Sequence, residues 1–186
     1  TWFVYWAATA PTSTDTIQGA EPMPAVTETD WIKGALDENK VQIVEYSDFQ
    51  CPGCAAYRPL LEEVYAQYSD QIVIVYRHFP LPKHQNVTIA AQSAQAAGAQ
   101  GKFWEMHDLI FENQKTWDDL SRAEAKTIFQ GYAQELGLDM AKFTTDYGAE
   151  ETAKTIAEQF VTGAKAGIQG TPSIFINGAL LKENPT

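Results

Sequence analysis

Two cysteines, the only ones in 186 residues, stand three positions apart as Cys51-Pro52-Gly53-Cys54. A pair so spaced can cycle between dithiol and disulfide, exchanging its bond with a thiol on another molecule. Other uses of the pair fit less well. A bridge across two residues closes too short a loop to stabilise a fold by chain entropy. A zinc site needs four ligands, and His78, His84 and His107 supply no His-x3-His partner. Buried inert thiols remain the bland alternative, since free cysteine commonly packs as a small hydrophobe.

Placement argues against inertness. Val41-Gln42-Ile43-Val44-Glu45-Tyr46 is β-branched and apolar, whereas Leu60, Leu61, Val64, Tyr65 and Tyr68 recur afterwards at helical spacing. A strand therefore delivers Cys51 to the start of a helix. The first-turn amides of a helix lack internal acceptors and its dipoles add, so a sulfur there meets roughly half a positive charge and favours the thiolate. Pro52 suits the first helical position, where its missing N–H leaves no bond unmade. Gly53 leaves the backbone open to an incoming disulfide, and Pro59 predicts a kink in the same helix.

The positioning elements continue with Ile72-Val73-Ile74-Val75-Tyr76-Arg77-His78-Phe79, a run expected of a strand covered on both faces. Strand, helix and parallel strand make a βαβ unit, whose right-handed crossover puts Cys51 at the carboxyl edge of the sheet. Residues 86–167 show only helical signals: Ile89 to Gly98, Phe103 to Asn113, a capping box at Ser121-Arg122-Ala123-Glu124 with its helix ending at Leu136-Gly137, a short helix from Asp139, and Glu150 to Ala166 with Gly167 as its cap. Phe103, Trp104, Phe111 and Trp117 read as core of this insertion. From residue 168 onward, Gly170-Thr171-Pro172-Ser173-Ile174-Phe175-Ile176 predicts a strand, and Asn177-Gly178 a hairpin turn. Pro172 fits only the first residue of that strand, and its peptide bond is a candidate for the cis isomer.

Before residue 30 the chain changes character. Trp2-Phe3-Val4-Tyr5-Trp6-Ala7-Ala8 is apolar but too short to span a bilayer, and residues 1–10 read as the end of a membrane anchor or signal segment. Residues 11–29, rich in Thr, Ser, Pro and acidic side chains without periodicity, read as a disordered tether. Asp30 to Leu36 then predicts a short helix capped by Asp30, with Trp31 and Ile32 turned inward. Thirteen basic against twenty-four acidic residues leave a net charge of −11, which repels nucleic acid and anionic lipid. Hydrophobic residues at 45% are enough for a core without disulfide staples.

Taken with Cys-Pro-x-Cys, the helical insertion and Gly170-Thr171-Pro172, three stretches resemble the DsbA-like family of thiol-disulfide oxidoreductases: Tyr46-Ser47-Asp48-Phe49-Gln50-Cys51-Pro52, Tyr76-Arg77-His78-Phe79-Pro80-Leu81 and Gly101-Lys102-Phe103-Trp104. The likeness covers roughly Val41 to Thr186. It implies an α/β thioredoxin-like fold: residues 30–85 as its N-terminal half, residues 86–167 as a helical insertion, and residues 168–186 as the C-terminal β-hairpin. It implies Cys51 as nucleophile, Cys54 as buried resolving partner, and Thr171 with cis-Pro172 facing the disulfide and pairing with extended substrate. Glu45, six residues before Cys51, matches the family's buried acid, able to exchange a proton with Cys54. Phe49 is expected to line an apolar substrate groove. His78 reads as a core or edge residue, and neither it nor Arg77 nor Lys83 is given a part in the chemistry. Family members continue into a covering helix after the hairpin, whereas this sequence stops at Asn184-Pro185-Thr186, which reads as truncation.

The function implied is disulfide exchange with cysteine-containing exported polypeptides, outside the cytoplasmic membrane, with a membrane redox partner resetting the pair. No cofactor beyond the Cys51–Cys54 disulfide and no metal is expected. Stabilising the Cys51 thiolate favours the reduced enzyme and points to a dithiol oxidase. Gly53 offers no cation where the strongest oxidants of the family carry histidine, so a reductase or isomerase fits the same residues. A glutathione-using relative would not need Cys54, and a chaperone-like binder would need neither sulfur reactive.

Overall fold

The computed structural model describes residues 20–181. Five strands make one mixed sheet: β1 (Trp31–Lys33), β2 (Val41–Ser47), β3 (Ile72–His78), β4 (Ser173–Ile176) and β5 (Ala179–Leu180). Their order across the sheet is β1-β3-β2-β4-β5. Strands β2 and β3 run parallel, and the remaining neighbours are antiparallel. As the central pair, β2 and β3 are almost wholly buried, which accounts for their continuous apolar runs. The fold is the thioredoxin-like α/β arrangement expected, with a helical insertion between the βαβ half and the final hairpin.

Helix α1 (Pro52–Tyr68) links β2 to β3 and carries Pro59 within it. Its Tyr57 and Leu61 pack on Ile43, Ile72, Ile74, Ile174 and Ile176, the residues that alternation sends to one face of the sheet. The insertion then contributes α2 (Val87–Gly98), α3 (Phe103–Glu112), α4 (Gln114–Trp117), α5 (Arg122–Glu135), α6 (Met140–Tyr147) and α7 (Glu150–Lys165). Phe160 of α7, with Ala166 and Ile168 just beyond it, covers Val44, Tyr46, Val75 and Phe175 on the opposite face. Both halves of the Ser121–Glu124 capping box are present at the start of α5. Asn177 and Gly178 both adopt positive φ, 48° and 83°, as a two-residue hairpin turn of this hand requires.

The segment from Asp30 departs from expectation: instead of a capped helix it forms the edge strand β1, antiparallel to β3. Asp30 does not cap. Its carboxylate takes two bonds of 2.8 Å from Arg77, an ion pair in which both side chains are less than a tenth exposed. Trp31 stacks on Phe103 with ring centroids 4.4 Å apart and lies over Gly98, where an added Cβ would stand 2.2 Å from the indole. These long-range contacts outweigh a local helix signal of a few residues.

Arg77 also corrects the tether reading for residues 20–29. It donates to the carbonyls of Pro24 (2.9 Å) and Ala25 (3.0 Å) and to the Tyr46 hydroxyl (3.1 Å). Met23 and Val26 pack beside it on the core. This stretch is therefore docked on the sheet. The proposed anchor, residues 11–19 of the tether and the last five residues, where truncation was inferred, lie outside the described residues.

Candidate active site

Strand β2 ends at Ser47, and a short loop brings Cys51 to the N-cap of α1, with Pro52 as its first residue. Cys51 and Cys54 are free thiols; Cys51 is 8% exposed, while Cys54, one turn along, is fully buried. The Cys51 sulfur lies 3.4 Å from the carbonyl oxygen of Thr171, and the Thr171–Pro172 bond is cis. A Cβ built on Gly53 would stand 3.4 Å from Pro172 Cδ and 3.6 Å from Cys51 Sγ. The proline loop thus faces the motif at van der Waals distance. The structure brings together Cys51, Cys54, Pro52, Gly53, Thr171 and Pro172.

The electrostatics separate the two sulfurs. Donation from the Cys54 thiol holds Cys51 down at about 5 against an ordinary 9.0; the Thr171 side chain and the amides of Cys54 and Gly53 act the same way, and burial opposes them. Cys54 is pushed far above the usual thiol range, first by burial, then by giving its hydrogen bond to Cys51 and by the nearby charges of Glu45 and Cys51. Glu45, buried on β2, is raised from 4.5 to about 7 by desolvation and the Cys51 charge, against a lowering by Ser47. At neutral pH the site holds one thiolate in contact with solvent, one protonated thiol beneath it, and an acid able to give or take a proton. That combination suits nucleophilic exchange at Cys51 and proton transfer at Cys54.

Phe49 is not where the sequence reading puts it. Its ring is fully buried, stacked on Tyr76 (centroids 5.2 Å) and against Phe111 (4.9 Å), so it supports the loop from below and lines no groove. Residues not singled out hold the loop instead. Asp48, buried, accepts from the amides of Gln50 (2.7 Å) and Leu81 (2.8 Å) and pairs with His84 Nδ1 (2.8 Å), while its carbonyl accepts from Cys51 N–H (3.0 Å). Gln114 of α4 donates to the carbonyls of Phe49 (2.7 Å) and Cys51 (3.1 Å). Gln50 bonds Asp118 O (2.7 Å) and receives Asn86 N–H (2.7 Å). Asp48 and Gln50 stand just before the cysteine motif in sequence, a usable signal; Gln114 is sixty-three residues from Cys51, and nothing local marks it. No group of metal-ligating side chains is found among the described residues.

Comparison with known proteins agrees with this geometry. The Thioredoxin family model matches residues 27–186. A thioredoxin-like oxidoreductase from Silicibacter pomeroyi DSS-3 is 26% identical, with a TM-score of 0.68 over 83% of this chain and 84% of that one. Oxidised BdbD from Bacillus subtilis shares the fold at 18% identity, with a TM-score of 0.74 over 88% and 90% of the two chains. A protein named Na(+)/H(+) antiporter NhaA 1 from Salinispora arenicola is 36% identical over 157 residues, which are 84% of this chain and 23% of that one. The chain spans about a quarter of the length of the curated relatives it matches. It belongs to the thioredoxin family and has the DsbA-like form of that fold, the scaffold of thiol-disulfide oxidoreductases.

Proposed function

We propose that this chain exchanges disulfides with cysteine-containing exported polypeptides and does so as a dithiol oxidase. The observation that carries the reading is the asymmetry of its sulfurs: Cys51 is held at about 5 where solvent reaches it, and Cys54 stays protonated and sealed below. In the oxidised enzyme, a substrate thiolate attacks Cys51, the Cys51–Cys54 bond breaks, and Cys54 leaves with the electron pair and takes a proton from Glu45. A second substrate thiolate then attacks the first substrate sulfur and expels Cys51 as a thiolate. Two substrate thiols become one disulfide, and the two electrons remain on the enzyme until a membrane redox partner removes them.

Cys51 is the better leaving group because its thiolate is the more stable, so the second attack favours release of oxidised substrate. The carbonyl of Thr171 lies 3.4 Å from Cys51 Sγ and loses that donor once the sulfur is a thiolate or bound in a disulfide; it can then pair with an extended substrate backbone, which supports tolerance of many sequences. Work outside the cytoplasm is supported by cysteine use restricted to the motif, in keeping with an oxidising compartment. Attachment beside a membrane is supported by the apolar run Trp2 to Ala8 and by relatives named as antiporters that match 84% of this chain within a longer one. Among the described residues no helix is long and apolar enough to cross a membrane.

Variants of the two cysteines test the exchange itself. Cys54→Ser is expected to accumulate mixed disulfides with reduced unfolded polypeptides and Cys51→Ser to form none; equal trapping by both ends the assignment. A second reading, reduction or isomerisation, draws on Gly53, which places no cation beside the thiolate. An equilibrium potential near thioredoxin's, about −270 mV, would favour it over the oxidase.

A further inference from the structure

Cys51 is the N-cap of α1, with an extended backbone (φ −77°, ψ 120°) and no side-chain cap bond. The amides of Gly53 and Cys54 are left to its sulfur. Where that sulfur stands follows from how the Cys51 backbone is held. Its carbonyl takes the Gln114 side chain, and its N–H goes to the Asp48 carbonyl at 3.0 Å. The second of these bonds closes a β-turn over residues 48–51, with aspartate at the first position, where that turn favours it. A second turn, over residues 81–84, closes in the same way: His84 N–H donates to the Leu81 carbonyl at 3.0 Å, and Pro82 holds the second position.

The Asp48 carboxylate is the joint between these turns. Within its own turn, Oδ1 accepts from Gln50 N–H at 2.7 Å. Across the gap, Oδ2 accepts from Leu81 N–H and meets His84 Nδ1, both at 2.8 Å. An ionised carboxylate only accepts, so the proton of the last bond sits on the imidazole. The Asp48 side chain is 0% exposed and that of His84 13%. A buried carboxylate is held in place by its donors, and bonds to a charged acceptor are the strong ones. Two of these donors are backbone amides; the third is a side chain at the edge of solvent. Asp48 thus fixes the residue before the nucleophile and the first residue of its turn, and His84 fixes Asp48.

We propose that Asp48, with His84 as its solvent-side donor, is the positioning residue of the nucleophile: the pair fixes the turn that aims Cys51 Sγ at the first amides of α1 and at the Thr171 loop. The inference rests on the exchange reading above and deepens it. Misplacing a reacting atom by about 1 Å can cost on the order of a hundredfold in rate, so the joint between the turns governs exchange as well as stability. Asn at position 48 would keep the size of the side chain but set an NH2 group against N–H donors, leaving one side of the joint unbonded. Leu at position 84 would remove the imidazole donor, whereas Gln there would supply an N–H in its place.

The test uses the full chain and reads Cys51 thiolate absorbance against pH, the equilibrium constant against glutathione, and Tm. In Asp48→Asn the thiolate midpoint is expected to rise by about one pH unit, and the constant for reduction at pH 7 to fall about tenfold, which is about 30 mV. Loss of the Asp48 charge alone would move the midpoint down, so the sign separates positioning from plain electrostatics. His84→Leu should shift both readings in the same direction by about threefold, and His84→Gln should stay within about twofold of wild type. A lowered Tm in Asp48→Asn and His84→Leu with midpoint and constant within twofold of wild type marks a structural role only and overturns the proposal. So does a loss in His84→Gln equal to that in His84→Leu. Should Asp48→Asn fail to fold, the two His84 variants decide alone. A wild type that forms no mixed disulfide with polypeptides refutes the exchange reading instead, while the thiolate midpoints, read without substrate, still decide this one.

Discussion

Lowering the pH from 9 to 4 perturbs the reduced enzyme chiefly at one sulfur, and the consequence for its redox potential can be worked from the site. Cys51 ionises near 5 in place of 9.0. At pH 7 the folded enzyme carries the thiolate where an unperturbed thiol would be protonated, a bias of two pH units. Those two units amount to about 2.7 kcal/mol in favour of the reduced form. For a two-electron couple this raises the potential by about 60 mV. The sign is that of an acid depressed in the folded state: the stabilisation is complete above the ordinary thiol range, declines as pH falls, and is gone once pH passes below about 5.

Reduction of the disulfide therefore takes up two protons below pH 5 but one above it, because Cys54 stays protonated throughout. The potential should fall by about 60 mV per pH unit below 5 and by about 30 mV per unit between 6 and 8, since each proton contributes about 30 mV per tenfold change. Equilibration with glutathione buffers gives the potential, and ultraviolet thiolate absorbance gives the ionisation directly. A slope near 60 mV persisting to pH 8, with absorbance rising only above pH 8, would refute the thiolate argument and with it the oxidase.

Glu45→Gln removes an acid whose raised pKa makes burial of its charge costly as pH rises through 4.5 to 7. The variant should gain up to about 3 kcal/mol of stability at pH 7 and nothing below pH 4, read by denaturant unfolding at the two pH values, while closure of the disulfide by Cys54 slows. Asp30→Ala strands Arg77 as a buried unpaired charge and should cost about 3–5 kcal/mol, with Cys51 alkylation unaltered because Arg77, in register with Tyr46, faces the side of the sheet opposite Cys54. Gly98→Ala drives a methyl to within 2.2 Å of Trp31; the overpacking cost of about 1–3 kcal/mol should exceed the helix-propensity gain of about 1 kcal/mol, seen as a lowered Tm.

The parts of this molecule legible in its sequence are those where local chemistry and the fold agree. The β2–Cys51–α1 unit announces itself by periodicity, by Pro52 and by the cysteine spacing, and each of these also serves the final structure. The same holds for Ser121–Glu124, whose two reciprocal hydrogen bonds form within four residues. Residues whose environment is made by distant chain read poorly. Asp30 looks like a helix cap until Arg77, forty-seven positions away, takes its carboxylate. Phe49 looks like a surface aromatic beside the motif, but α3 and β3 close over it.

That difference bears on how the site gets its reactivity. The helix start, written locally, supplies amides to the Cys51 thiolate, but the largest single contribution comes from Cys54, and Thr171 approaches from the far end of the chain. Desolvation, which raises Glu45 and Cys54, exists only because the insertion and α1 cover that face of the sheet. A peptide carrying the motif alone would keep part of the lowering at Cys51 and none of the raising at Cys54. The separation between the two sulfurs, which lets one attack while the other waits protonated, is therefore a property of the packed insertion. Gln114, whose side chain grips the carbonyls on either side of Gln50 from α4, fastens the reactive loop to that insertion.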